Sequence, residues 1–272
     1  MAKGTPVSDN GLAVRNATIS YGGAPVVKEL TLDIPHNEFT MIIGPNGCGK
    51  STLVKSLGRV LRPADGTITL HGRDLWSYRG KEAAREVALL PQNPIAPVGI
   101  TVAGLVRRGR YPHHTLLRQW SPDDERAIAF ALERTGLSDL AGAQAGELSG
   151  GQRQRAWVAM VLAQQTGILL LDEPTTFLDI SHQFELLELC RELHEEGRTV
   201  VAVLHDLNQA ARFATHLVVM NGGRVVAQGP PSEVVTSDMV REVFDLGCEV
   251  VPDPQTSTPM VVPHARTASR SL

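Results

Sequence analysis

The sequence predicts an α/β fold, and three observations carry that prediction. Short apolar runs at Phe39-Thr40-Met41-Ile42-Ile43, Val87-Ala88-Leu89-Leu90, Ile168-Leu169-Leu170-Leu171 and Val200-Val201-Ala202-Val203-Leu204 show no alternation, as strands buried on both faces require. Segments before residue 39 alternate instead, with Leu12, Val14, Ile19 and Tyr21 in one and Leu30, Leu32 and Ile34 in the next, across Gly22-Gly23. They read as antiparallel strands of a half-buried N-terminal sheet. Residues 93–165 carry helix and loop signals alone, which marks an inserted helical subdomain.

Composition bounds what such a fold can do. A chain of 272 residues with 42% hydrophobic side chains has ample material for a core. Its formal net charge of -3 argues against broad nucleic-acid binding, and no nucleic-acid partner is expected. No stretch offers the roughly 20 apolar residues that span a bilayer, and Met-Ala-Lys-Gly-Thr-Pro lacks a signal-peptide core. The expectation is a soluble, cytosolic protein. Cys48, Cys190 and Cys248 have neither the number nor the spacing of a disulfide framework or zinc site and read as structural.

Taken in order, residues 1–11 are polar and loose, and the alternating strands follow. Tyr21 ends the first of them 23 residues before Gly44, where an exposed ring could stack on a purine, although a lone aromatic is more commonly a packing residue. The run 39–43 leads into Gly44-Pro45-Asn46-Gly47-Cys48-Gly49-Lys50-Ser51-Thr52, which fits G-x-x-x-x-G-K-[ST], and then into the helical pattern Leu53, Val54, Leu57, Val60, Leu61. Strand, glycine loop and helix are the setting in which this motif binds nucleotide phosphates. Glycines at 44, 47 and 49 let backbone N–H groups converge on one anion, and the helix adds the positive end of its dipole. Lys50 reaches the β- and γ-phosphates, and Ser51 can ligate magnesium. The expectation is a phosphate-loop NTPase core whose ligands are nucleotide phosphates and Mg2+.

Further along, Gly66-Thr67-Ile68-Thr69-Leu70 reads as a strand, and Val87–Leu90 is a short buried strand running through Pro91 into Gln92. Pro94 and Pro97 mark a loop, Val102 to Arg107 a short helix, and Ser121-Pro122-Asp123-Asp124 a capped helix start. Ala127, Ile128, Ala131 and Leu132 give that helix its apolar face, and Gly136 ends it. Arg107, Arg108, Arg110, His113, His114 and Arg118 read as a solvated surface, because adjacent histidines point apart and make a poor metal site.

Leu148-Ser149-Gly150-Gly151-Gln152 opens a helical pattern and forms a second anion-binding corner. Alone it would be an ordinary cap. Its weight comes from Asp172-Glu173 at the end of the buried run 168–171, the edge where ligands sit in open α/β sheets. Asp172 can hold magnesium through water while Glu173 polarises an attacking water. His205 ends the run 200–204, within reach of a bound phosphate. Beyond it, Asn221-Gly222-Gly223 marks a hairpin, two short helices cover Pro231 to Thr236 and Asp238 to Phe244, and disorder is expected after about residue 264.

Phosphate loop, Gln92, Leu-Ser-Gly-Gly-Gln, Asp172-Glu173 and His205 occur in an order that resembles the ATP-binding subunit of ATP-binding-cassette transporters over nearly the whole chain. The resemblance implies one cassette domain at 12–252, with core and β subdomain at 12–92 and 166–230, the helical subdomain at 93–165, and a partly disordered tail at 253–272. It implies that ATP is the nucleotide, that Tyr21 stacks on its adenine, that Gln92 touches magnesium and water and relays to the membrane partner, and that Asp179 belongs to a dimer-crossing loop. Phe177-Leu178 departs from the small residues common in that loop. It further implies a homodimer at the cytoplasmic face of the membrane, two separate permease subunits, and an extracytoplasmic substrate-binding protein. Gly109-Arg110-Tyr111-Pro112-His113, residues 174–183, residues 204–210 and the tail from Glu249 to Pro263 are similar to importers of ferric siderophores and cobalamin. Ferric siderophores are the expected cargo, with cobalamin or haem as alternatives. A soluble, non-transport cassette ATPase is the reading from another class. One phosphate loop and no sustained heptads speak against it.

Overall fold

The computed structural model describes residues 11–115 and 120–265. Apart from Gly11 and the residues up to 265, the loose ends expected of the sequence, together with Arg118, lie outside the described residues. β1 (Leu12–Ile19) and β2 (Val27–Ile34) pair antiparallel with Leu12 opposite Ile34. β3 (Phe39–Ile43), buried along its whole length, runs into the phosphate loop and α1 (Lys50–Leu57). β4 (Asp65–Leu70) returns beside β1, and β5 (Arg73–Asp74) closes that edge. α2 (Gly80–Glu86) then leads into β6 (Val87–Leu90).

The helical subdomain comprises α3 (Val102–Arg107), α4 (Pro122–Arg134) and α5 (Gly150–Ala163). α4 begins as the sequence predicts: Pro122 fills its first position, and the Asp124 carboxylate accepts from the Ser121 N–H and hydroxyl, both at 2.9 Å. Gly136, at φ 63°, turns the chain out of the helix. The core resumes with β7 (Ile168–Asp172), α6 (Ile180–Glu195), β8 (Thr199–Val203), α7 (Leu207–Phe213) and the hairpin of β9 (His216–Asn221) and β10 (Arg224–Gly229). α8 (Pro231–Val234), α9 (Ser237–Phe244), β11 (Cys248–Pro252) and β12 (Pro259–Pro263) follow.

The central sheet has the order β10-β9-β3-β8-β7-β6, parallel except for β10. Met41, Leu169, Leu171 and Ala202 pack on one side of it, whereas Ile42, Leu170, Val201 and Val203 meet α1 and the N-terminal sheet on the other. Both faces are covered, which is why these strands carry no polar alternation. β3, β8 and β7 are consecutive neighbours, so the phosphate loop, His205 and Asp172-Glu173 leave the same sheet edge side by side.

Two expectations change. The boundary expected at 252 falls inside a folded hairpin: Val250 lies opposite Val261, and Asp253 shapes the turn by accepting from the N–H groups of Gln255 (2.8 Å) and Thr256 (3.1 Å). The fold therefore continues through Pro263, in residues whose Pro, Ser and Thr content read as a tail. The basic stretch is also not wholly solvated. Arg110 is only 4% exposed, and it donates to Asp124 (2.8 Å), the Ala163 carbonyl (2.6 Å) and Gln165 (2.8 Å). A planar fork of donors lets one guanidinium bind several fixed acceptors and tie α4 to the end of α5.

Candidate nucleotide site

The phosphate loop takes its shape from glycine. A Cβ on Gly44 would fall 2.1 Å from the Met220 carbonyl oxygen, and Gly49 precedes α1 at φ 103°, a left-handed conformation that costs glycine little. The turn they allow presents the α1 N-terminus to a cavity of about 140 Å3 lined by Asn46, Gly47, Lys50, Ser51, Glu173 and His205, among others. Pro45 accepts from the Cys48 N–H at 3.3 Å, closing the loop on itself. Cys48 is buried, and that burial pushes its thiol up, opposed by the charge of Lys50. Burial alone pushes Cys190 up to about 12.

Lys50 is itself buried, and its ammonium donates to the carbonyls of Gly44 (2.7 Å) and Pro45 (3.0 Å). Thr52, next on α1, lies with its hydroxyl 3.5 Å from that of Tyr21. The Tyr21 ring is 61% exposed, beyond the end of β1, and presents a flat face beside the loop that binds phosphates.

Asp172 is fully buried at the end of β7. The Ser51 hydroxyl donates to its Oδ1 at 2.8 Å, while Oδ2 has no hydrogen-bond partner among the described residues. Burial raises its carboxyl above the usual carboxylate range and nearby Glu173 adds to the rise, against the Ser51 hydrogen bond. A buried carboxylate with one oxygen unused, beside a hydroxyl, is short of positive charge and fits a hard divalent cation such as magnesium.

Glu173 follows at φ 53°, a left-handed conformation uncommon outside glycine. Its Oε1 is 2.7 Å from His205 Nε2, and its Oε2 lies 3.4 Å from the Thr176 hydroxyl. His205 is distant in sequence and is brought there by the pairing of β8 with β7, whereas Thr176 is only three residues on and is returned by the tight turn after Pro174. Sequence reasoning missed Thr176, which carries no pattern of its own.

The other candidates stand apart from this cavity. Gln92 lines a groove of about 340 Å3 with Ile95, Gly150, Trp157 and Phe177, rather than the phosphate cavity. Ser149 caps α5: its hydroxyl accepts from the Gln152 N–H (3.2 Å), and its own N–H donates to the Gln152 side chain (3.0 Å). Leu148 is buried beneath this corner, whereas Gly150 and Ser149 are exposed, and none of 148–152 lines the phosphate cavity. Asp179 caps α6, and the His182 N–H and then its imidazole hold the Asp179 carboxyl below the usual range. Among the described residues no cluster of three or more His, Cys, Asp or Glu side chains is placed to hold a metal ion.

A phosphate loop after β3, an acid pair at the end of β7 and a histidine just past β8, gathered at one sheet edge, define a phosphate-loop ATPase, and the last helix of its helical subdomain opens with Leu-Ser-Gly-Gly-Gln. The ABC transporter family model matches residues 27–176, and the chain belongs to that family. It is 53% identical over 252 residues to the ferric enterobactin transport ATP-binding protein of Escherichia coli (strain K12), covering 92% of this chain and 93% of that one. Among solved structures, it resembles an inward-facing ABC transporter described as of metal-chelate type, with TM-score 0.80, 27% identity and coverage of 95% and 99% of the two chains. It also resembles a dimeric bacterial ABC transporter cassette, with TM-score 0.72, 26% identity and coverage of 80% and 98%.

Proposed function

We propose that this chain is the ATP-hydrolysing subunit of a ferric siderophore importer, acting as a homodimer on the cytoplasmic face of the membrane. The observation that carries this reading is the separation of its two anion corners. Lys50, Ser51, Glu173 and His205 share one cavity, while the Ser149 corner faces outward beyond it. A second copy, turned so that its Ser149 corner covers this cavity, completes the site. Closure around the γ-phosphate then does the mechanical work, and hydrolysis removes the contact that holds the dimer shut.

Within the site, Tyr21 stacks on the adenine, the loop from Gly44 to Thr52 cradles the phosphates, and Lys50 leaves its two carbonyls for the β- and γ-phosphates. Ser51 and Asp172 would hold magnesium, with Gln92 entering from its groove. When bound, the ion neutralises charge shared by the β- and γ-phosphates. Glu173 orients the attacking water and takes its proton, and His205 fixes the Glu173 carboxylate and reaches the γ-phosphate. Asp179 faces the partner copy at the dimer crossing.

No helix among the described residues is long and apolar enough to cross a membrane, so the transport path is assigned to two other chains, fed by an extracytoplasmic binding protein. The groove at Gln92 suits their attachment: Trp157 and Phe177 line it, and Ile95 is 89% exposed at its rim. The siderophore cargo rests on the similarity to the enterobactin subunit. Co-purification with a multi-helix permease from detergent-solubilised membranes, followed by uptake assays in vesicles, tests the reading. Import of a ferric siderophore supports it. Import of cobalamin or haem alone would replace the cargo, and absence of any permease would replace the transporter assignment.

A further inference from the structure

The C-terminal hairpin is joined to α7, the helix that starts directly after His205. Asn208, in the first turn of α7, donates from Nδ2 to the Val261 carbonyl (3.1 Å) and accepts at Oδ1 from the Val261 N–H (2.7 Å). A side-chain amide has thus taken the place of a neighbouring strand for one residue of β12. One turn on, Arg212 reaches Asp253 in the hairpin's turn at 3.4 Å. The next residue, Gln209, donates to the Gln183 side chain (2.9 Å), and Gln183 Nε2 donates to the Leu178 carbonyl (3.0 Å), adjoining Asp179. Two sets of hydrogen bonds, linked by the backbone of α7 between Asn208 and Gln209, therefore join Val261 to α6 and the carbonyl of Leu178.

We propose that Asn208 and Gln209 are positioning residues, through which the C-terminal hairpin and α6 fix α7 and so hold His205 against Glu173. Three features support this. His205 sits on a half-exposed stretch between β8 and a helix of only 7 residues, too short to be rigid on its own propensity. The amide of Asn208 donates one bond to, and accepts one from, the same backbone residue, which fixes the rotation of α7 about its axis. Asn208 itself is exposed, so its side chain contributes orientation rather than core volume. Phosphate binding belongs to β3 and α1, outside these bonds, and stays untouched by them.

The inference rests on the role of His205 given above, and the test separates the two. Steady-state ATP hydrolysis by the full chain is measured for Asn208→Ala, Gln209→Ala, His205→Ala and the double variant Asn208→Ala/His205→Ala, with thermal unfolding of each. Asn208→Ala and Gln209→Ala should lower kcat about tenfold with KM for ATP within about twofold, and Asn208→Ala should cost nothing further once His205 is gone. Unchanged kcat in both single variants, or losses that multiply in the double variant, would overturn the proposal while leaving His205 in place. An unaltered His205→Ala would instead overturn the catalytic reading on which it stands. If Asn208→Ala fails to fold, Gln183→Ala breaks the link at α6, and the same split between kcat and KM decides.

Discussion

The two glycine-bearing helix starts, at α1 and at α5, look alike in sequence and differ in almost every physical respect. At α1, Lys50 is buried, Ser51 is bonded to Asp172, and Glu173 and His205 close the far side. At α5, the exposed Ser149 and the half-buried Gln152 satisfy each other in a capping box, with no acid or lysine bonded to either among the described residues. The first corner holds a charged ligand with its own groups. The second supplies donors and geometry only, and its use depends on what is brought to it. Sequence motifs of similar composition thus encode a walled cavity in one case and an open, self-satisfied corner in the other, the difference on which the proposed dimer rests.

The largest expected effect tests the α1 corner. Glu173→Gln keeps size and removes the carboxylate, so hydrolysis should fall by about 10² to 10⁴-fold while ATP still binds. Nucleotide titration beside a steady-state assay checks both halves; a rate near that of the parent chain would remove Glu173 from the chemistry. The next effect addresses the division itself. Lys50→Ala lacks the phosphate cation, and Gly151→Asp places a carboxylate where the partner's γ-phosphate arrives. Each alone should be inactive, yet a mixed dimer contains one sound composite site. Tagged heterodimers should trap ATP in a single turnover, and complete silence would mean each site is built within one chain.

Smaller effects sharpen the contrast. Ser149→Ala removes a helix cap and should lower stability by about 1 kcal/mol, seen in a denaturation midpoint, with ATP binding to the isolated chain unchanged. Weakened binding to the monomer would show that the α5 corner already serves its own chain's site. The smallest effect concerns Cys48: buried and raised in pKa, it should resist a thiol-reactive dye at pH 8 until the protein unfolds. Rapid labelling of the native chain would mean the loop opens far more than its bonds suggest.

Legibility followed the kind of constraint. Gly44, Gly49, Lys50, Ser51 and the Asp172-Glu173 pair were readable because close backbone approach and buried charge leave few residue types that fit. β3, β7 and β8 were readable because burial on both faces demands unbroken apolar runs. α2 escaped because only Ala83 of it is buried, too little for a helical period. The β11–β12 hairpin and the Arg110–Asp124 pair escaped for another reason. Each joins residues whose individual types are unremarkable in their own segment and acquire meaning only when the chain folds them together. The Thr176 contact escaped because a threonine three residues after Glu173 reaches it only through the turn after Pro174.

The left-handed backbone at Glu173 carries a consequence for engineering. An L-residue held there is less stable than glycine by roughly 1 to 2 kcal/mol from steric crowding of Cβ. A sequence optimised for robustness alone would therefore place glycine or asparagine at position 173, and a design program that ranks substitutions by folding energy would recommend removing the carboxylate proposed to orient the attacking water. On that proposal, the backbone conformation at Glu173 is a standing trade of thermal resilience for reactivity.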